Sequence, residues 1–168
     1  MASTVAAKTL KVTVTEQIQL AGNSQDNQTI TEIADINELS NRIVTIPSSS
    51  EVGLLAFASS SNSMNAGTYV QSDVKYIRIS NLDNTNFVDL RVLNTDGDYY
   101  SVKLDAGKSF LLGNTRLNTP SREDYVDPED YVLYGYVDTL VSDAINADEI
   151  RARANTSNID VEYLVAST

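Results

Sequence analysis

The sequence predicts an all-β chain, an antiparallel β-sandwich of jelly-roll or immunoglobulin-like type with little helix. Three observations predict it. Apolar and polar residues alternate with a period of two over much of the chain, the signature of strands with one buried face. Turn signals recur about every 8–12 residues, a spacing that suits a sandwich and not a βαβ fold. Ser, Thr and Asn supply 48 of the 168 residues, and such short polar side chains favour strands and turns over long surface helices. There is no composition break, so residues 1–168 are expected to form one domain, with 1–8 as an N-terminal arm.

The elements follow in order. TLKVTVTEQIQL (Thr9–Leu20) places Leu10, Val12 and Val14 on one face, and Ile18 and Leu20 continue that parity. AGNSQDNQ (Ala21–Gln28) reads as a polar turn. TITEIADINELSNRIVTIP carries two apolar sets, Ile30–Ile36 and Leu39–Ile46, and ends at Pro47, which cannot continue a central strand. These sets are expected to be strands, although Ile33, Ile36, Leu39 and Ile43 also fit a short helix. VGLLAFA (Val52–Ala58) is the longest apolar run, a buried strand far too short to cross a bilayer. PSSSE and SSSNSMNAG are loops.

Lys75–Asn114 is the most legible part. KYIRISN alternates, LDNTN connects, FVDLRVL continues, and Asp96-Gly97 signals a hairpin before YYSVKL. DAG turns again before KSFLLG, so the segment reads as a four-strand meander within one sheet. Further on, YVLYGYV (Tyr131–Val137) is a strand, Asp138–Asn155 is ambiguous with a strand favoured from about Glu149 to Asn155, and IDVEYLVA is the last strand after a turn at Thr156–Asn158.

Composition narrows the function. With 12 Lys and Arg against 23 Asp and Glu, the net charge is −11, which repels a phosphate backbone, and nucleic acid is not an expected partner. The chain has no Cys and no His. That removes the thiolate nucleophile, the Ser–His–Asp triad and the commonest transition-metal ligands. No catalytic residue, no cofactor-binding residue and no enzymatic activity are expected. The opening MASTVAAKTLKVTVT turns polar too early for a signal peptide. A soluble chain made in a cytoplasm, with no membrane partner, is the expectation.

Two clusters were weighed as sites. Asn94, Asp96 and Asp98 superficially resemble the start of a calcium loop, but the glycine spacing and the flanking strands favour a plain hairpin. Glu123, Asp124, Asp127, Glu129 and Asp130 could hold a hard cation if their loop folds over it. No spacing rule is met, so a solvated loop is expected and no metal is assigned. The same carboxylates, with Tyr125, Tyr131, Tyr134 and Tyr136 nearby, leave carbohydrate binding as an alternative. Lys75, Arg78, Arg91, Lys103 and Lys108 fall in or beside the meander. They are expected either to pair across strands with Asp83, Asp89 and Asp105 or to form ion pairs between subunits.

KYIRISNLDNTNFVDLRV, then KLDAGKSFLLGN, then EIRARANTSNIDVEYLVAST together resemble a pattern found in small virion structural proteins of tailed, especially marine, bacteriophages. The resemblance lies within Lys75–Asn114 and Glu149–Thr168, a little over a third of the chain. Its motifs are structural and bring no active-site residue. It implies a non-enzymatic virion component assembled in the host cytoplasm, foremost a capsid decoration or cement protein that stabilises the phage head. A neck, tail or fibre part is the alternative. The implied partners are the major capsid protein or other virion proteins, with the chain a homo-oligomer whose residues 1–8 are held by a neighbouring subunit.

Overall fold

The computed structural model describes residues 6–58, 67–93, 99–113, 118–119 and 145–168. Every regular element among them is a strand. The first two form a hairpin that stands apart from the rest: β1 (Lys8–Leu20) and β2 (Asn23–Ile36), antiparallel over their whole length. The next strands in the chain are β3 (Glu38–Ile46), β4 (Val52–Ala58), β5 (Thr68–Val70), β6 (Val74–Asn81), β7 (Val88–Leu93), β8 (Tyr99–Leu104) and β9 (Ser109–Gly113). A two-residue pair, β10 (Asn118–Thr119) with β11 (Ile145–Asn146), precedes β12 (Glu149–Ala154) and β13 (Ile159–Ser167).

Two sheets make the body. One has the order β3-β13-β6-β9 and the other β5-β4-β12-β7-β8. Apart from the short parallel pairing of β5 with β4, the neighbours in both sheets are antiparallel. If the eight principal strands are lettered a to h along the chain, the sheets read a-h-c-f and b-g-d-e. Successive strands thus alternate between sheets except at the β7–β8 hairpin. This is the connectivity of a jelly roll, two Greek keys folded face to face.

Alternation explains the core. In β13, Ile159, Val161, Tyr163 and Val165 are buried against Val88, Leu90 and Val92 of β7 and Ile150, Ala152 and Ala154 of β12. Ile77 and Ile79 of β6 and Ile46 of β3 complete the four-stranded sheet's share. At one margin Tyr69 of β5 donates its hydroxyl to Ser40 Oγ of β3 at 2.8 Å, linking the two sheets. Burial pushes the Tyr163 hydroxyl above its ordinary pKa, with Tyr69 adding to the effect.

Two expectations are corrected, and one alternative falls in favour of the expected strands. The Lys75–Asn114 meander does not lie in one sheet: β6 and β9 belong to the four-stranded sheet, β7 and β8 to the five-stranded one. The physical reason is Asn81, a buried amide at the end of β6. Its Nδ2 donates to the carbonyls of Asn86 (2.8 Å) and Leu104 (3.1 Å), and its Oδ1 accepts from the Asp83 amide at 2.9 Å. These bonds bend the LDNTN segment across from one sheet to the other. AGNSQDNQ is not a loop, because only Ala21 and Gly22 turn. Their φ values of 49° and 85° are both positive, as a two-residue type I′ hairpin requires, and glycine supplies the second without strain. Residues 23–28 continue as strand. The helical alternative for Ile33, Ile36, Leu39 and Ile43 is replaced by strand. The short β5 had no counterpart in the sequence reading. Of the expected N-terminal arm, Met1–Val5 lie outside the described residues, as do the 94–98 turn, the Tyr131–Val137 strand and residues 138–144 of the ambiguous segment.

Candidate assembly surface

The acidic cluster Glu123, Asp124, Asp127, Glu129 and Asp130 lies outside the described residues, and so do Asn94, Asp96 and Asp98. The features that the structure does define are the β1–β2 arm and the outer faces of the two sheets.

The arm is rooted on the four-stranded sheet. Ile33 and Ile36 are buried with Tyr76 of β6 and Ala166 of β13, and Leu10, Val12 and Leu164 pack beside them. Residues three apart in a strand normally point to opposite faces. Here a bulge sets Lys8 and Leu10 against Ile36 and Ile33, with Asp35 in the left-handed region at φ 62°. The extra residue brings both isoleucines down onto the sheet. Beyond this root no hydrophobic cluster among the described residues includes the arm. From Thr13 round the turn to Glu32 every side chain whose burial is described is exposed.

The exposed half still has an apolar side. Val14, Ile18 and Leu20 share the parity of Leu10 and Val12, and are 44%, 49% and 58% exposed. Glu16 interrupts them, capped across the strands by Asn27 Nδ2 at 3.0 Å. The outer face of the four-stranded sheet carries a similar stripe beside the root: Leu39 and Ile43 of β3 are 59% and 63% exposed. Leu39 stands opposite Ala166, and Ile43 opposite Glu162. On the same face Arg78 is paired with Glu162 at 2.6 Å, Ser80 with Ser109 at 2.8 Å, and Thr45 donates to Asp160 at 2.7 Å.

The outer face of the five-stranded sheet is built differently. Arg91 of β7 makes a two-pronged pair with Glu51, Nε to Oε1 at 2.7 Å, and its guanidinium lies 4.8 Å from the Tyr99 ring centre. Arg151 of β12 binds Glu149 at 2.8 Å. That hydrogen bond raises the Arg151 pKa further above its ordinary value. A Cβ at Gly53 would sit 2.5 Å from Glu149 Oε1, so a side chain there would make the Glu149 carboxylate move aside. Lys103 of β8 pairs with Asp105 at 2.9 Å and covers the Phe87 ring at 4.4 Å. Of the meander's basic residues, Arg78, Arg91 and Lys103 form ion pairs within one copy. The partners are Glu162, Glu51 and Asp105, and only Asp105 had been expected.

Two points of this surface were missed from sequence. The Leu10–Leu20 parity was visible, but it was taken for an ordinary strand of the sandwich. Leu39 and Ile43 were visible as an apolar set without an indication of which face they occupy. No protein-family model matches the chain, and no curated protein matches it either.

Proposed function

We propose that the chain is a non-enzymatic structural component of a virion, foremost a capsid decoration or cement protein that works through protein–protein contacts. The observation that carries the assembly role is the arm: a two-stranded hairpin with Val14, Ile18 and Leu20 in solvent. An isolated hairpin is marginally stable in water, and an exposed apolar stripe is a mark of an interaction surface. Assignment to a virion rests on the resemblance of Lys75–Asn114 and Glu149–Thr168 to phage structural proteins. The jelly roll supports it as an analogy of fold, since capsid proteins use that architecture.

The test is mass spectrometry of gradient-purified particles, followed by re-addition of the protein to particles lacking it and co-sedimentation. Many copies per particle, bound to the head and protecting it against heating or low salt, is the expected result. A few copies at the neck or tail would move the protein to the alternative location. Absence from purified particles would overturn the virion reading. Jelly rolls also serve as lectins, and a glycan array then tests the carbohydrate-binding alternative.

A further inference from the structure

We infer that the free half of the arm is a reciprocal clasp: it lies across the outer face of the four-stranded sheet of a second copy, on Leu39 and Ile43. This deepens the assembly reading above by naming the partner and the surface, and it holds for the purified chain whether or not a virion is involved.

Geometry makes the two surfaces complementary within one sequence. The root of the arm rests on its own sheet through Leu10, Val12, Ile33 and Ile36. The same side of the arm continues past the root as Val14, Ile18 and Leu20. The free half therefore continues the apolar side of the root, and among the described residues no sheet of its own copy covers it. A two-fold axis perpendicular to that face sets a second sandwich beside the first. Each arm then crosses to the other copy, the two running antiparallel over both sheets. The contact is isologous, so the surface needs to complement only itself.

Spacing and area agree. Val14 and Ile18 are four residues apart on one extended strand, as are Leu39 and Ile43 on another. Each pair spans about 13 Å at about 3.3 Å per residue, so the two can interdigitate in one register. The contacting side of the free half comprises the four alternate residues from Val14 to Leu20 and, opposite them on β2, Asn23, Asn27 and Thr29. At about 35 Å² per interface residue these bury about 250 Å², and two arms with two receiving faces reach about 1,000 Å², the size a specific interface has to reach. Glu162 is neutralised by Arg78 within each copy, and one oxygen of the Glu16 carboxylate is hydrogen-bonded by Asn27. The other outer face offers no such stripe: its Arg91, Arg151 and Lys103 are taken up by Glu51, Glu149 and Asp105.

The chain has no cysteine, so introduced thiols report without background. Ile18→Cys and Ile43→Cys chains, each carrying a different mass tag, are mixed and oxidised. A mixed covalent dimer well above what either chain forms alone is expected. Sedimentation equilibrium of the unmodified chain at about 100 μM should show a dimer, and Ile18→Asp with Leu20→Asp should weaken it by roughly a hundredfold or more. Both side chains stand clear of the sandwich, so far-UV circular dichroism should stay unchanged. A monomeric unmodified chain, an arm variant that dimerises as well as the parent, or no mixed disulfide would each overturn the clasp. None of these readouts depends on particle content, which tests the virion reading separately.

Discussion

The arm and the sandwich body are made of the same material and behave oppositely. Both are antiparallel strands with apolar residues on every second position. In the body, Ile79 and Val161 are fully enclosed because a second sheet faces them. In the arm, Val14 and Ile18 have the same alternation and no sheet opposite. Period two defines a face that prefers burial, and says nothing about what buries it. The body supplies its own cover, and the arm needs cover from elsewhere.

The largest expected effect sharpens that contrast directly. Ile79→Ala removes a side chain with no exposure and leaves a cavity, so it should destabilise the fold by about 3–4 kcal/mol in chemical denaturation. Ile18→Ala, tested where the chain is monomeric, should change stability by less than about 0.5 kcal/mol. Similar losses at both positions would mean that the arm is packed in solution and that the comparison fails.

Next in size is the hinge between the sheets. Asn81→Leu keeps the number and branching of side-chain heavy atoms, at a somewhat larger volume, but strips the partners from the carbonyls of Asn86 and Leu104 and from the Asp83 amide. Leaving such groups unpaired in or near the core should lower stability by about 2–3 kcal/mol. A neutral outcome would mean that the crossing is fixed by strand packing and not by this amide.

Smaller still is the arm's turn. Ala21 holds a positive φ of 49°, which a side chain without a local hydrogen bond adopts poorly. Ala21→Asn installs the Asn-Gly pair that two-residue hairpins prefer. It should strengthen the arm by about 0.5–1 kcal/mol, read as slower amide exchange along β1 and β2, while exchange in β13 and β7 stays as before. A change spread over the body would show that the arm is not an independent unit.

These sites also mark how far the sequence could be read. The pattern made β6, β7, β12 and β13 legible, because each strand has one face on a single core. Which sheet each strand joins was not legible. Ile79 and Leu90 face the same core from opposite sides, and alternation is identical in the two cases. That choice is made by Asn81, whose role emerges only when Leu104, far along the chain, is brought beside it. Residues 23–28 looked like a turn because Asn, Ser, Asp and Gln favour turns. A two-stranded arm in solvent accepts them, since hydrogen bonds such as that between Asn27 and Glu16 replace apolar packing. The assembly surface was half visible for the same reason: its residues were recognisably apolar, but their exposure is a property of the assembled body.

The smallest expected effect concerns pH, and it separates local order at the hinge from the strength of the core. Asp83 is half-buried, and its Oδ1 accepts from the amides of Thr85 at 2.7 Å and Asn86 at 2.6 Å. Those bonds, the one from Asn86 foremost, favour the ionised carboxylate and hold its pKa below the ordinary value of 3.8. A carboxylate with a depressed folded-state pKa adds stability above its unfolded pKa, and that stability fades as pH falls through the folded value. The Asp83→Ala variant should therefore be less stable than the parent at pH 7. The two denaturation curves should converge once pH drops below about 4, where aspartate protonates in the unfolded chain. Solvent at this half-buried surface site keeps the gap small. A gap that persisted unchanged below pH 3 would show that Asp83 acts through shape and not through its charge. The LDNTN crossing would then owe nothing to the Asp83 charge, and acid would leave that contribution unchanged.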